Sequence, residues 1–171
     1  MNKEILQIIM AGIGTLGFSI YFRVSEKNVA ASTIGGAVGF AFYLLIFKLT
    51  KSLFFANFAA AFLIYLYSEL CARILKAPSN VFLVPGIIPL LPGGALYYTM
   101  YGIVNSNSKM LYRNGIDTVI MTVGIATGIV VGTVTINYLI KFEKNVKKTN
   151  KKNDFRDTPV SRSFLFCQLN L

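Results

Sequence analysis

Residues 78–101 read PSNVFLVPGIIPLLPGGALYYTMY, and the reading of this stretch decides the fold. It is almost wholly apolar and long enough to enter a bilayer, yet Pro78, Pro85, Pro89 and Pro92, four of the chain's five prolines, fall within it. A proline inside a helix removes one amide donor and pushes its ring against the carbonyl four residues earlier. Pro85, Pro89 and Pro92 are therefore expected to strand the carbonyls of Val81, Pro85 and Ile88. Hydrocarbon offers such groups nothing, so a break at membrane depth is tolerated where protein or a water-filled cavity covers it. The stranded carbonyls call for water, a side chain such as Asn80, or a ligand with donors, for example an ammonium group.

The residues that follow have the opposite polarity. Pro92-Gly93-Gly94 reads as a helix start, with Pro in the first turn where its missing donor does no harm. Free amides near Gly93, Gly94 and Ala95, with the positive end of the helix dipole behind them, suit a carboxylate or other small anion. The glycines would let a ligand approach the backbone. Discontinuous membrane helices hold charged substrate groups in this way. Tyr97, Tyr98, Thr99 and Tyr101 add hydroxyls and ring faces to the same half-helix. The competing reading is a kinked helix with an aromatic belt at the interface.

Around this stretch the chain is 171 residues long, 54% hydrophobic and 14% charged. Its uncharged runs are residues 5–22, 28–47, 52–68, 77–108 and 118–140. A bilayer core takes roughly 20 apolar residues per helix. The fold class is thus all-α, a polytopic integral membrane protein with about five transmembrane segments at 5–22, 29–47, 53–75, 81–107 and 117–140. The fourth is the helix broken by Pro and Gly. Residues 1–140 form the membrane domain and 141–171 a basic cytoplasmic tail.

Half of the net charge of +10 lies after Ile140, in a run that includes Lys141, Lys144, Lys147, Lys148, Lys151 and Lys152. Directly after a membrane helix, such a run reads as a cytoplasmic topology signal touching anionic lipid, and not as a nucleic-acid site. Residues 153–171 carry no strong pattern and are expected to be disordered or weakly membrane-associated. An odd number of crossings would put the N-terminus outside; a proline segment that dips in and returns would make four and move it inside. The first run is too long for a signal-peptide core and is followed by no cleavage site.

Seven acidic residues, no His and two distant cysteines, Cys71 and Cys167, leave little for acid–base, covalent or metal chemistry. The expectation is no enzyme, no cofactor, no metal and two free thiols. Ionisable groups inside a membrane segment are costly and usually functional. Glu69 and Arg73 stand four apart on one helical face, in the acid-first order. Asp117 stands at the start of the last segment. Each is a candidate for ion coupling, and each also has a plain interfacial explanation. Small residues recur at packing spacing: Gly124, Gly128 and Gly132; Ala31, Gly35 and Gly39; Gly12, Gly14 and Gly17. Faces of this kind suit close contacts within the chain or with a further subunit, including a homo-oligomer.

One set of residues carries a family resemblance. Ala77-Pro78, Val81-Phe82, Pro85-Gly86-Ile87-Ile88-Pro89-Leu90, Pro92-Gly93 and Tyr98-Thr99-Met100, preceded by Ser68-Glu69 and Ala72-Arg73, resemble the threonine/serine exporter family. The likeness is nearest to its small-component (YjjB-like) branch, which corresponds to the C-terminal membrane half of full-length exporters. It extends over residues 5–140, with its specificity in 68–100. It implies a bacterial cytoplasmic-membrane exporter of small amino acids or small carboxylic acids. It also implies a partner: a larger component with a membrane half of its own and a soluble N-terminal domain. On this reading Asn80, Pro85, Gly86, Pro89, Pro92, Gly93, Gly94, Tyr97 and Tyr98 are candidates for the substrate path. The alternative role is a structural subunit that stabilises the partner without forming the site.

Overall fold

The computed structural model describes residues 3–157, with side chains for residues 4–142. Every regular element among them is helical: α1 (Lys3–Tyr21), α2 (Glu26–Thr50), α3 (Leu53–Leu75), α4 (Asn80–Ile87), a 3₁₀ turn (Ile88–Leu90), α5 (Gly93–Val104) and α6 (Ser108–Asp157). Four of these helices are long and apolar enough to cross a membrane, and α4 with α5 makes a fifth candidate, bent by 51°. Large apolar side chains cover the outer surface: Leu49 is 74% exposed, Ile74 77% and Val104 82%. In water that much exposed apolar surface would be strongly unfavourable, whereas lipid covers it at no cost. The chain is a multi-pass membrane protein.

The chain divides into two compact units, Met1–Thr133 and Val134–Leu171. In the second, the described backbone is helical to Asp157 as the C-terminal stretch of α6. The side chains of Lys144, Lys147, Lys148, Lys151 and Lys152, and all of residues 158–171 with Cys167, lie outside the described residues.

In the first unit, small residues set the packing. Antiparallel α1 and α2 meet where Gly36 faces the Thr15 side chain, with Ser19 Oγ donating to Ser32 Oγ at 3.0 Å. Antiparallel α2 and α3 meet where Gly35 and Gly39 face Tyr67 and Ile64, and Tyr67 Oη donates to the Ala31 carbonyl at 2.8 Å. α4 wedges against both, its buried Gly86 lying over Ile64 and Gly36. The core is correspondingly small: Ala56, Ala60, Ala61 and Ile64 of α3 with Phe82, Leu90 and Ile125. Gly14 and Gly17 of α1 have nothing within 4 Å of where a Cβ would stand, so they do not continue the contact made near Gly12.

α6 lies along α3 in the same direction: Gly124 faces the Phe54 carbonyl, Gly128 the Phe58 carbonyl and Gly132 the Tyr65 ring. Parallel neighbours demand that the connecting chain return to the starting end. α4 and the 3₁₀ turn make that return along α1, α2 and α3 and reach the second turn of α3, and α5 continues beyond it. α5 then folds back on the start of α6, with Gly102 against Leu111 and Gly115 against Thr99.

The turns lack the glycine caps that usually mark helix ends. Arg23, Lys51, Lys76 and Ser106 take left-handed φ values of 51–53° instead. After α1, the Arg23 and Val24 amides bond back to the Ile20 and Ser19 carbonyls, both at 3.0 Å. Three of these four residues are cationic and stand at helix C-termini, where the dipole favours positive charge.

Candidate functional site

The break between α4 and α5 is ordered by short local bonds. Pro89 ends the regular ladder, and the chain tightens so that the Leu91 amide donates to the Ile88 carbonyl at 3.1 Å. The Ile88 carbonyl, expected to be stranded by Pro92, is thus satisfied within a 3₁₀ turn. Leu91 is extended (φ −61°, ψ 137°), and the Gly93 amide donates to its carbonyl at 2.7 Å. The Gly93 amide is therefore not free, contrary to the expectation from sequence. α5 starts with the Leu96 amide bonded to the Pro92 carbonyl at 2.9 Å. The amides of Gly94 and Ala95 have no partner among the described residues.

These amides lie at a cavity of 280 Å³ lined by the break itself, residues 89–95, and by Phe40 and Tyr43 of α2, Asn57 of α3 and Met121 of α6. Its volume is just below the range of about 300–1,000 Å³ usual for ligand pockets, which suits a small solute. The cavity lies level with the second turn of α3, nearer the α2–α3 connection than the middle of the helices. Tyr43 is held by ring contacts with Phe40 (5.7 Å) and Phe47 (6.0 Å). Phe40 and Pro89 also line a neighbouring apolar cavity of 330 Å³ that includes Gln7, Met10 and Gly14 of α1.

Asn57 was not legible as a site residue, since one Asn in the apolar run 52–68 gives no spacing or motif. It is 1% exposed, and its Nδ2 donates to the Leu53 carbonyl at 2.8 Å. A carbonyl accepts and does not donate, so this bond fixes which end of the amide is nitrogen. Oδ1 has no partner among the described residues, and no fully buried side-chain oxygen or nitrogen there is unpaired. Oδ1 is therefore not fully enclosed, and Asn57 lines this cavity. The other buried polar side chains, Thr15, Ser19, Ser32 and Ser68, are bonded to their own helix or across the α1–α2 contact.

The structure separates the residues that the sequence grouped. Pro89, Pro92, Gly93 and Gly94 line the cavity. Asn80 and Pro85 line a different one, of 440 Å³, beside Arg23, Ser25, Asn28 and Pro78 at the α1–α2 and α3–α4 turns. Gly86 is a packing position. Tyr97 and Tyr98 point outward, 64% and 48% exposed, with Tyr97 stacked on Tyr101 at 6.4 Å. The Thr99 hydroxyl is bonded to the Ala95 carbonyl at 2.7 Å. Tyr97, Tyr98 and Tyr101 thus face outward and do not line the cavity.

Glu69 is half-buried on α3 and Arg73 exposed, and they form no ion pair; among the described residues that contact occurs between Glu4 and Lys48, at 2.6 Å. Asp117 lies inside α6, beyond its first turn, and lines a polar cavity of 430 Å³ with Asn107, Lys109, Arg113 and Asn114. Asn107 caps that helix, its Oδ1 accepting from the Met110 amide at 3.2 Å. A helix start at Ser108 moves Asp117 away from the terminal amides that would otherwise account for it.

Residues 7–135 match the family model described as Threonine/Serine exporter, ThrE. A Haemophilus influenzae relative named only "Uncharacterized protein" is 30% identical over 151 residues, which is 85% of this chain and 50% of that protein. A Corynebacterium glutamicum relative named "Threonine/serine exporter" is 27% identical over 131 residues, 77% of this chain and 27% of that protein. The chain therefore spans about half the length of the first relative and about a quarter of the second. No solved structure matches.

Proposed function

The chain belongs to the threonine/serine exporter family, and from that premise we propose that it is a subunit of a secondary transporter that exports small amino acids or small carboxylic acids. The carrying observation is the cavity at the α4–α5 break, where the Gly94 and Ala95 amides meet a pocket of solute size. A carboxylate there would replace water on two unpaired donors, with the α5 dipole behind them. No charged side chain lines this cavity. A zwitterion or monocarboxylate therefore fits better than a dianion, whose second charge would lack a partner.

The setting is the bacterial cytoplasmic membrane, with five crossings and the basic stretch after Ile140 on the cytoplasmic side. The partner is a larger exporter component that carries a membrane half and a soluble domain, in keeping with the share of its relatives that this chain covers. Glu69 is the ion-coupling candidate of this reading, being half-buried and unpaired, whereas Asp117 has cationic neighbours. The second reading, a stabilising subunit that forms no site, draws on the same partial coverage.

Efflux of labelled threonine, serine and succinate from cells carrying this chain, with and without the larger component, tests the proposal. Gly94→Leu should abolish efflux at unchanged membrane abundance and unchanged co-purification with the partner. Full flux in that variant would leave the stabilising role as the better account.

A further inference from the structure

We propose that Asn57 is the specificity-determining residue of the cavity. Its Oδ1 accepts a hydrogen bond from the ammonium group of a small zwitterion whose carboxylate rests on the Gly94 and Ala95 amides. The inference rests on the exporter reading above and adds a residue on α3, outside the proline segment.

Three observations carry it. Asn57 is 1% exposed and lines the same cavity as residues 93–95. Its amide orientation is fixed by the Nδ2 bond to the Leu53 carbonyl, so the group left without a partner among the described residues is an acceptor. Neighbouring helices hold it in place: the Cβ position of Gly124 stands 3.2 Å from the Asn57 Cβ, so α6 packs directly against this side chain. Acceptor and donors of the site thus come from different helices, α3 and α5, around one small volume. A carboxylate has no proton to give Oδ1, so a solute lacking a donor would leave the Asn57 oxygen unpaired. A site that hydrogen-bonds a substrate NH discriminates strongly against the analogue without it, because its own polar group is then left without a partner.

The test compares threonine with 3-hydroxybutyrate, which keeps the carboxylate and hydroxyl and lacks the ammonium group, in cells expressing the chain with its larger component. Wild type should prefer threonine. Asn57→Thr retains a hydroxyl able to bond the Leu53 carbonyl and removes the amide oxygen. It should raise KM for threonine about ten- to a hundredfold, as expected for a lost hydrogen bond to a charged group. KM for 3-hydroxybutyrate should instead fall, because no acceptor is then left unpaired when it binds, so the preference collapses. Asn57→Leu, scored at matched membrane abundance, should behave alike. A preference kept in either variant overturns the role of Asn57 and leaves the exporter reading intact. A wild type that transports both solutes equally also overturns the role of Asn57. Absence of flux of either solute from wild type overturns the exporter reading and this inference together.

Discussion

At the scale of single residues, the glycines divide by what surrounds them. A Cβ at Gly128 would stand 2.6 Å from the Phe58 carbonyl oxygen, a backbone atom that cannot swing away. Gly128→Ala should therefore destabilise the protein by about 1–3 kcal/mol, as overpacking does, read as a lower thermal midpoint in detergent. Gly17→Ala, with open space around it, should be neutral or stabilising by up to about 1 kcal/mol, because Ala is the better helix former. The spacing of the glycines was plain in the sequence; which of them touch a neighbour was not. The helix ends were also hidden, because Lys and Arg hold left-handed positions where glycine would have signalled a stop. Lys76, at φ 51°, is one of these. Lys76→Gly should remove a steric cost of about 1 kcal/mol, less the lost charge–dipole attraction, and should not lower the thermal midpoint.

At the scale of the element, the α4–α5 break combines features that the sequence stated and features that it could not. Three prolines within residues 85–92 announced that the ladder must fail there. How the broken ladder is repaired depends on local geometry: a 3₁₀ turn takes up the Ile88 carbonyl, and a tight turn at Leu91 takes up the Gly93 amide. That repair leaves donors, and not stranded carbonyls near Pro92, as the reactive feature of the break. Restoring two donors in Pro89→Ala/Pro92→Ala would favour a straighter continuous helix and a smaller cavity. The double variant should raise the thermal midpoint and lower efflux at least about tenfold, since a continuous helix lacks the unpaired terminal amides. Retained flux together with raised stability would show that the bend is not needed for transport.

At the scale of the whole molecule, the direction of α6 is the decisive fact. Because α6 runs parallel to α3, the chain between them must return to the starting end of α3, and we propose that it does so as a fifth crossing. In a Cys71→Ser/Cys167→Ser background, Ala77→Cys and Asn105→Cys should react with a membrane-impermeant maleimide from opposite sides. Labelling from one side alone would mean a re-entrant loop. Composition and the spacing of charges determined that the chain is helical, membrane-embedded and broken at one place, because a bilayer punishes unpaired backbone and charge so heavily that both must be visible in the sequence. Tertiary structure alone decided which groups share a volume. Asn80, Tyr97 and Tyr98 lie near the break in sequence but away from the cavity, whereas Tyr43, Asn57 and Met121 are distant in sequence and line it. Helix packing brings together residues by the face they occupy and the closeness that small neighbours permit, and neither is written in the order of the chain.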